Sequence, residues 1–549
     1  MTLLYALITV AQAQQTWPAD AVIEDAAAVQ ITDDGLDAIT ALIPALLPSE
    51  IPVDTVADEG GWWCVNYGYE LSNIWVGIEV SGADITPGNG VLDVTADLMV
   101  QVNDASDPFN IWYEIACIDS DCPGHIEPFP VALDTTVALN VVTGDTGIPE
   151  LDATIGDINV DYADIGSSID LDCWIGDVNE VLEWFGLNLY DLLLGLVGGA
   201  LDDAIADFGP ELESTIEEAF AEATIEEEID VNGAVVDLLL YPNDVDISPD
   251  GIELAMAGRV SAREPSQCIA GTDPGGSPRT DSPIPSIYSL APGTHAGVLL
   301  SDDFTNQVMY GLYRGGLLCF DLSGNDPLPI NSGLLQLIAG DVFDELFPET
   351  APMVISTQPN AAPQAYFNGS NDIDLIVDDL DLHFYAEVDG RMARVVTLGL
   401  DIDAGANLVF DGQTGAMEVE LLLTSDNVTA DVVHNELVTG SDEQIEANFA
   451  GAFDTILETV LGGLLSDLAF DLPTFEGIGL TSLGVQAAGQ EGDWMGVSAG
   501  VGETPYVGAD CNDCSGGDSG CSGGCAVGGP LLNFYTVLAL AVFGVRRRD

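Results

Sequence analysis

Apolar and polar positions fall into blocks that recur in the same order along the chain. Near the start, Val29-Gln30-Ile31 reads as a strand. Thr32-Asp33-Asp34-Gly35 then leads into a helix from about Leu36 to Leu47, with Leu36, Ile39, Ile43 and Leu47 on one face. Gly297 to Leu300 opens a second half in the same way. Ser301-Asp302-Asp303 forms a cap there, and a helix over Phe304 to Tyr313 puts Phe304, Val308 and Leu312 on one face. Ser and Asp suit such caps because a side-chain oxygen accepts an otherwise orphaned helix N–H.

Alternating stretches follow in each half and predict strands. They are Ile74 to Val80, Val91 to Val102, Val131 to Val142, Ile155 to Asp170, Asp372 to Val388, Val395 to Ile402 and Met417 to Leu423. Acids occupy one phase and Ile, Leu or Val the other. Asp372, Asp374 and Asp381 therefore read first as the wet face of a strand, and no EF-hand loop is visible. Each half then carries a long amphipathic helix. In the first, Leu194, Val197, Leu201, Ile205, Phe208, Leu212, Ile216 and Phe220 advance by three or four; in the second, Ile445, Phe449, Phe453, Ile456, Val460, Leu464 and Leu468 do so. One broad apolar stripe suits a helix lying against a curved sheet. Further strands follow at Val235 to Leu240, Ile252 to Gly258, Ile478 to Val485 and Trp494 to Val501.

Residues 261–293 are rich in Pro, Gly, Ser and Thr, which is linker composition. The expected organisation is a signal peptide over 1–13, a first domain over 20–260, the linker over 261–293 and a second domain over 294–501. A Gly/Cys-rich tail over 502–525 and a membrane-directed helix with an Arg cluster over 526–549 complete it. The expected fold class is α+β, with two pseudo-repeated domains, each a twisted antiparallel sheet wrapped around a long helix.

The ends point to export. Leu3 to Val10 is a short apolar run and Ala11-Gln12-Ala13 is an A-x-A cleavage site; the other reading is a buried N-terminal strand or helix. Ala526 to Val545 is free of charge and is closed by Arg546, Arg547 and Arg548. Twenty helical residues span about 30 Å, one bilayer core, and the arginines would stay cytoplasmic. Cys511, Cys514, Cys521 and Cys525 precede it. Cys511-x-x-Cys514 could suggest zinc, but disulfide or processing chemistry suits an exported tail better. This end resembles bacterial tripartite sorting tails of the MYXO-CTERM type. That resemblance implies a sorting protease acting near Cys521 or Cys525, and display at the cell surface or outer envelope.

Composition narrows the function. The chain has 549 residues, 47% of them hydrophobic, enough for sizeable cores. There are 9 basic residues against 92 acidic ones, a net charge of −83. None of the basic residues is a lysine. P-loop, kinase and Schiff-base lysines are thus excluded. Nucleic acid is not expected as a partner, since its affinity rests on Lys and Arg at phosphates. The acidity reads as a solvated face suited to high salt, with cation binding as the other reading. Cys64, Cys117, Cys122, Cys173, Cys268 and Cys319 form an even set in an oxidising compartment. Cys117 and Cys122 flank Ile-Asp-Ser-Asp, a candidate closed hairpin tip. Cys268 with Cys319 and Cys64 with Cys173 are further candidates among fifteen pairings.

The order of parts resembles the tubular lipid-binding superfamily. It is closest to the two-domain group of bactericidal/permeability-increasing protein, lipopolysaccharide-binding protein and plasma lipid-transfer proteins. Val29 to Asp37 looks like that family's opening strand and Gly-Leu helix start, and Ile51-Pro52 like its Ile-Pro. Leu299 to Asn306 with Leu312-Tyr313 and Gly316-Leu317 looks like the opening of its second domain. Phe470-Asp471-Leu472-Pro473-Thr474 looks like its Leu-Pro turn. The resemblance runs over about residues 25–501. It implies a boomerang with an apolar acyl-chain pocket in each half. The family's Lys/Arg-rich tip for lipopolysaccharide is missing here. So is its usual disulfide to the first long helix.

The expected function is therefore cell-surface binding, or transfer, of phospholipid or another acyl lipid, without catalysis, cofactor or metal. Candidate lipid contacts are Ile39, Ile43, Leu47, Leu194, Val197 and Leu201 in the first half, and Val308, Leu312, Ile456, Val460 and Leu464 in the second. The alternative is an acidic structural or adhesive surface protein that binds divalent cations. A hydrolase is disfavoured: His125, His295, His383 and His434 are scattered and no G-x-S-x-G elbow occurs.

Overall fold

The computed structural model describes residues 21–40, 50–53, 55–61, 66–115, 118–144, 146–162, 168–171, 195, 224–231, 234–269, 283–286, 294–323, 330–339, 343, 346–347, 349–350, 351–413, 416–435, 437, 442–449, 453, 470–471, 478–489 and 491–503. The first half contains β1 (Ile23–Thr32), α1 (Asp33–Thr40), β2 (Glu50–Val53), β3 (Val56–Gly61), β4 (Asn66–Ser72), β5 (Ile74–Pro87), β6 (Leu92–Val102), β7 (Phe109–Ile115), β8 (Ile118–Thr143), β9 (Pro149–Ile155), β10 (Asn159–Tyr162), β11 (Ile169–Leu171), β12 (Ile225–Val231), β13 (Ala234–Ser248) and β14 (Gly251–Ala262). The second contains β15 (Ala296–Ser301), α2 (Asp302–Gly315), β16 (Asp321–Ser323), α3 (Ser332–Ala339), β17 (Met353–Pro359), β18 (Gln364–Tyr366), β19 (Ile373–Val388), β20 (Arg391–Asp411), β21 (Ala416–Leu422), β22 (Val428–Asn435), β23 (Phe470–Asp471), β24 (Ile478–Ala488) and β25 (Trp494–Glu503).

These strands form three antiparallel sheets. The first-half sheet runs β2-β5-β6-β8-β7-β4-β3, with β9, β10 and β11 also on the long β8. The second-half sheet runs β16-β17-β19-β20-β21-β23, with β18 on β19 and β22 on β20. The third sheet is shared by both halves and runs β12-β13-β14-β1-β15-β25-β24. Its middle pair is β1 with β15, Ala27 opposite Leu300 and Ile31 opposite Ala296. The linker thus separates two halves in sequence that share one sheet in space.

The two helix starts mirror each other across that seam. The Gly35 N–H donates to Thr32 Oγ1 at 3.0 Å, and the Phe304 N–H donates to Ser301 Oγ at 3.2 Å. Each capping hydroxyl then donates across the pair: Ser301 Oγ to the Ala26 carbonyl at 3.0 Å, Thr32 Oγ1 to the Thr294 carbonyl at 2.9 Å. One short residue thus stops a strand, starts a helix and ties it to the other half. Helix α2 ends at Gly316, whose φ of 94° is left-handed and favours glycine.

The predicted face of α2 is buried. Phe304, Val308 and Leu312 pack in one core with Val236, Leu238 and Val260 of β13 and β14. A side chain at Gly258 would stand 2.4 Å from the Phe304 ring, so that glycine lets helix and strand approach. A helix of the second half therefore rests on strands of the first.

Three expectations change. Ile155–Asp170 is not one strand. Gly156 turns its N–H to the Thr136 carbonyl at 2.7 Å, and the stretch is taken up as the end of β9, then β10 and β11, each pairing with β8. Ile118–Asp121 is not a hairpin tip, because these residues pair with Ile115–Trp112 inside the β7–β8 ladder. Val131–Val142 is only part of the 26-residue β8.

Among the described residues no helix is long and apolar enough to cross a membrane. The expected signal peptide, C-terminal helix and Arg cluster lie outside those residues, as do most positions of the two long amphipathic helices.

Candidate functional site

The two outer sheets divide their faces in the same way. In the first, cross-strand columns run Val76–Val102–Ile126, Ile78–Val100–Phe129 and Val80–Leu98–Val131 through β5, β6 and β8. A further column, Leu71–Ile111–Cys122, crosses β4, β7 and β8. Paired residues share a face, so these columns form one apolar surface. All of them belong to one buried cluster or pack against it. The other face carries Glu79, Asp84, Asp97 and Asp134.

The second outer sheet repeats the partition. Its inner columns are Ile355–Phe384–Val396, Thr357–Leu382–Leu398–Val432 and Pro359–Leu380–Leu400–Ala430. With Phe343, Phe347, Ile445 and Phe449 they build the second-half core. The outer columns are Ser356–His383–Thr397–His434 and Gln358–Asp381–Gly399–Asp431. The named inner columns contain no ionisable side chain, so these columns offer mainly dispersion contacts.

His383 stands on the outer face yet is 9% exposed. Its Nδ1 is 3.0 Å from Thr397 Oγ1, and its ring meets Tyr385 edge-on. Burial pushes its pKa down; Arg394 and His434 add to this and Asp381 opposes it. Glu253 on β14 is half-buried in the shared sheet and accepts a hydrogen bond from Gln30 Nε2. Burial pushes its pKa up, the Gln30 bond opposes this, and Asp246, Asp25 and Asp244 reinforce it. Among the described residues no group of three or more His, Cys, Asp or Glu could hold a metal.

Of the expected lipid contacts, the structure places Val308 and Leu312 together, buried at 0% and 5% exposure in the core beneath the shared sheet. Ile39 lies in α1, its side chain undescribed. Ile43, Leu47, Leu194, Val197, Leu201, Ile456, Val460 and Leu464 lie outside the described residues, as do Cys117, Cys521, Cys525 and Arg546 to Arg548.

Cys268 and Cys319 form a disulfide, joining the end of the first half to the segment after α2. Cys122 is also disulfide-bonded, to a cysteine outside the described residues. The candidate partner Cys117 lies outside the described residues.

Sequence reasoning missed the polar ties of α2. The Asn306 amide donates to the Ala365 carbonyl at 3.1 Å and accepts from the Ala365 N–H at 2.8 Å. Gln307 accepts from the Val260 N–H at 2.9 Å and donates to the Ala21 carbonyl at 2.6 Å. Their only signal was two amides on an otherwise amphipathic helix.

The class defined so far is a duplicated, mostly antiparallel sheet protein with two apolar-lined outer sheets on a shared central one. No family model and no curated protein matches the chain. Solved structures do match. Lipopolysaccharide binding protein is 13% identical, with a TM-score of 0.49, covering 88% of this chain and 100% of its own. P47 of Clostridium botulinum E1 is 9% identical, with a TM-score of 0.24, covering 87% of this chain and 99% of its own. At such values neither comparison decides the fold or the ligand of this chain.

Proposed function

We propose that this protein binds acyl lipid against the apolar inner faces of its two outer sheets and catalyses no reaction. The observation that carries the reading is the repeated partition: aliphatic and aromatic columns inside, acids outside, in both halves. Such a surface recognises methylene chains by area. Burial is worth about 0.8 kcal/mol per CH₂, so a sixteen-carbon chain supplies roughly 10 kcal/mol before ordering costs. The inner faces are already buried, so a bound chain shares them with the protein's own apolar side chains. The acidic exterior disfavours anionic headgroups, so recognition falls on the tail. The proposed setting is outside the cell, where a Cys268–Cys319 disulfide persists. Display at the surface through the C-terminal helix belongs to the same proposal.

Native mass spectrometry of protein purified from its own host tests this. The expected result is copurifying lipid, released by organic extraction and taken up again from neutral phosphatidylcholine vesicles. Lipid-free protein that takes up none refutes it.

A further inference from the structure

The shared sheet is nearly symmetric about the β1–β15 pair. A pseudo-twofold maps β1 onto β15, β14 onto β25 and β13 onto β24. Among the described residues the fourth position differs between the two sides. On the first-half side β13 is covered by β12, paired from Ile225–Leu240 to Val231–Ala234. On the second-half side β24 pairs with β25 and has no further hydrogen-bonded strand among the described residues; Gly412, just past β20, approaches it only at Thr481, before the Ser482–Ala488 stretch.

The two ends differ in charge as well. Strand β12 reads Ile-Glu-Glu-Glu-Ile-Asp-Val, four acids in seven residues. Charge on an outer strand is a common guard against edge-to-edge pairing. Strand β24 reads Ile-Gly-Leu-Thr-Ser-Leu-Gly-Val-Gln-Ala-Ala, with no charge and no proline. Its neighbour β25 is uncharged from Trp494 to Gly502. After an irregularity at Thr481 the register is regular, from Ser482 opposite Gly500 to Ala488 opposite Trp494. Leu483 and Val485 pack toward the core, while Ser482, Gly484 and Gln486 are exposed. An edge strand turns alternate N–H and C=O groups outward, where they are open to pairing with another strand in place of water.

We propose that Ser482–Ala488 is a homodimerisation edge, pairing antiparallel with the same strand of a second copy across a twofold axis. Joining two seven-stranded sheets there gives one continuous sheet. Charge selects this occupant. Two copies at −83 each repel wherever acid meets acid, whereas this edge brings neutral backbone to neutral backbone. An antiparallel strand pair is self-complementary, as an isologous interface requires. Seven residues make a ladder of about 23 Å with about seven main-chain bonds. Repulsion between the remaining surfaces is screened by salt, so the dimer tightens as salt rises. The inference is independent of lipid binding.

Sedimentation equilibrium on the full chain, at low salt and at about 1 M salt, tests it. The expected mass doubles at high salt, and Ser482→Glu/Gln486→Glu, which gives β24 the acidic guard of β12, stays monomeric with unchanged melting. A wild type that is monomeric at both salts overturns the proposal, as does a double variant that still dimerises. Dimerisation only after removal of residues 504–549 also overturns it, since the chain itself would then cover the edge. Should the double variant fail to fold, hydrogen exchange on the wild type decides. Alternate amides of Ser482–Ala488 should gain protection with rising concentration, and unchanged exchange overturns the assignment.

Discussion

Leu312→Ala separates packing from ligand contact at a position that sequence pattern alone assigns to either. Leu312 is 5% exposed between α2 and the β13–β14 pair. The substitution removes three carbons, about 2.4 kcal/mol of transfer free energy at ~0.8 kcal/mol each. Incomplete collapse of the site brings the total to about 3–4 kcal/mol. The effect on melting depends on what unfolds with it. A body of about 480 residues carries an unfolding entropy of roughly 1 kcal/mol per kelvin, so Tm falls by about 3–4 °C if both halves melt together. If one half of about 240 residues melts alone, the fall is about 6–8 °C. The shared sheet and the seat of α2 on first-half strands predict one transition and the smaller shift. Differential scanning calorimetry, comparing calorimetric with van't Hoff enthalpy, reads both quantities. A Tm changed by under about 1 °C, or two transitions of which one moves, would refute the packing argument. Loss of copurifying lipid at constant Tm would place Leu312 in a ligand site instead.

Cys268→Ser with Cys319→Ser opens a closure spanning 51 residues; chain entropy puts the cost at about 4 kcal/mol, read as a lower urea midpoint than that of the oxidised wild type. Glu253→Gln should stabilise the protein at neutral pH. The raised pKa means that Glu253 favours its protonated form in the fold, a contribution present below the unfolded value of 4.5 and lost as pH rises through the folded one. The gain over wild type should therefore vanish below about pH 4, and a gain that persists there removes this explanation. His383 has a lowered pKa, so its contribution is present above 6.5 and lost as pH falls through the folded value. His383→Gln should flatten the stability profile just below pH 6.5, and an unaltered slope counts against that role. Ser301→Ala removes both the cap and the tie to Ala26, an expected cost of about 1–2 kcal/mol by chemical denaturation.

Much of the fold was legible because its signals are local. Thr32 and Ser301 sit before acids and an apolar stripe, and each caps its helix in the structure. Alternation located β5, β6, β19, β21, β24 and β25 to within a few residues of their ends, except that β5 and β24 run further, because a strand half-buried on one face must place every second residue inward. The wet-face reading of Asp381 also holds: it stands in the outer column with Gln358 and Asp431. Two cysteines around two acids look like a turn, but the ladder through Trp112 and Glu114 carries β8 through Asp119 and Asp121.

By itself the sequence determined the duplicated order of elements, the position of the caps, the polarity of each sheet face and the exclusion of lysine chemistry. Periodicity and composition act within a few residues, so one chain suffices to read them. Only the tertiary structure decided that β1 and β15 pair, that α2 rests on β13 and β14, that Cys268 meets Cys319 and that β24 ends its sheet uncovered among the described residues. Those are pairings between segments tens to hundreds of residues apart. Many neutral or apolar strands could satisfy each of them, and only the simultaneous fit of register, bulges and side-chain volume selects one.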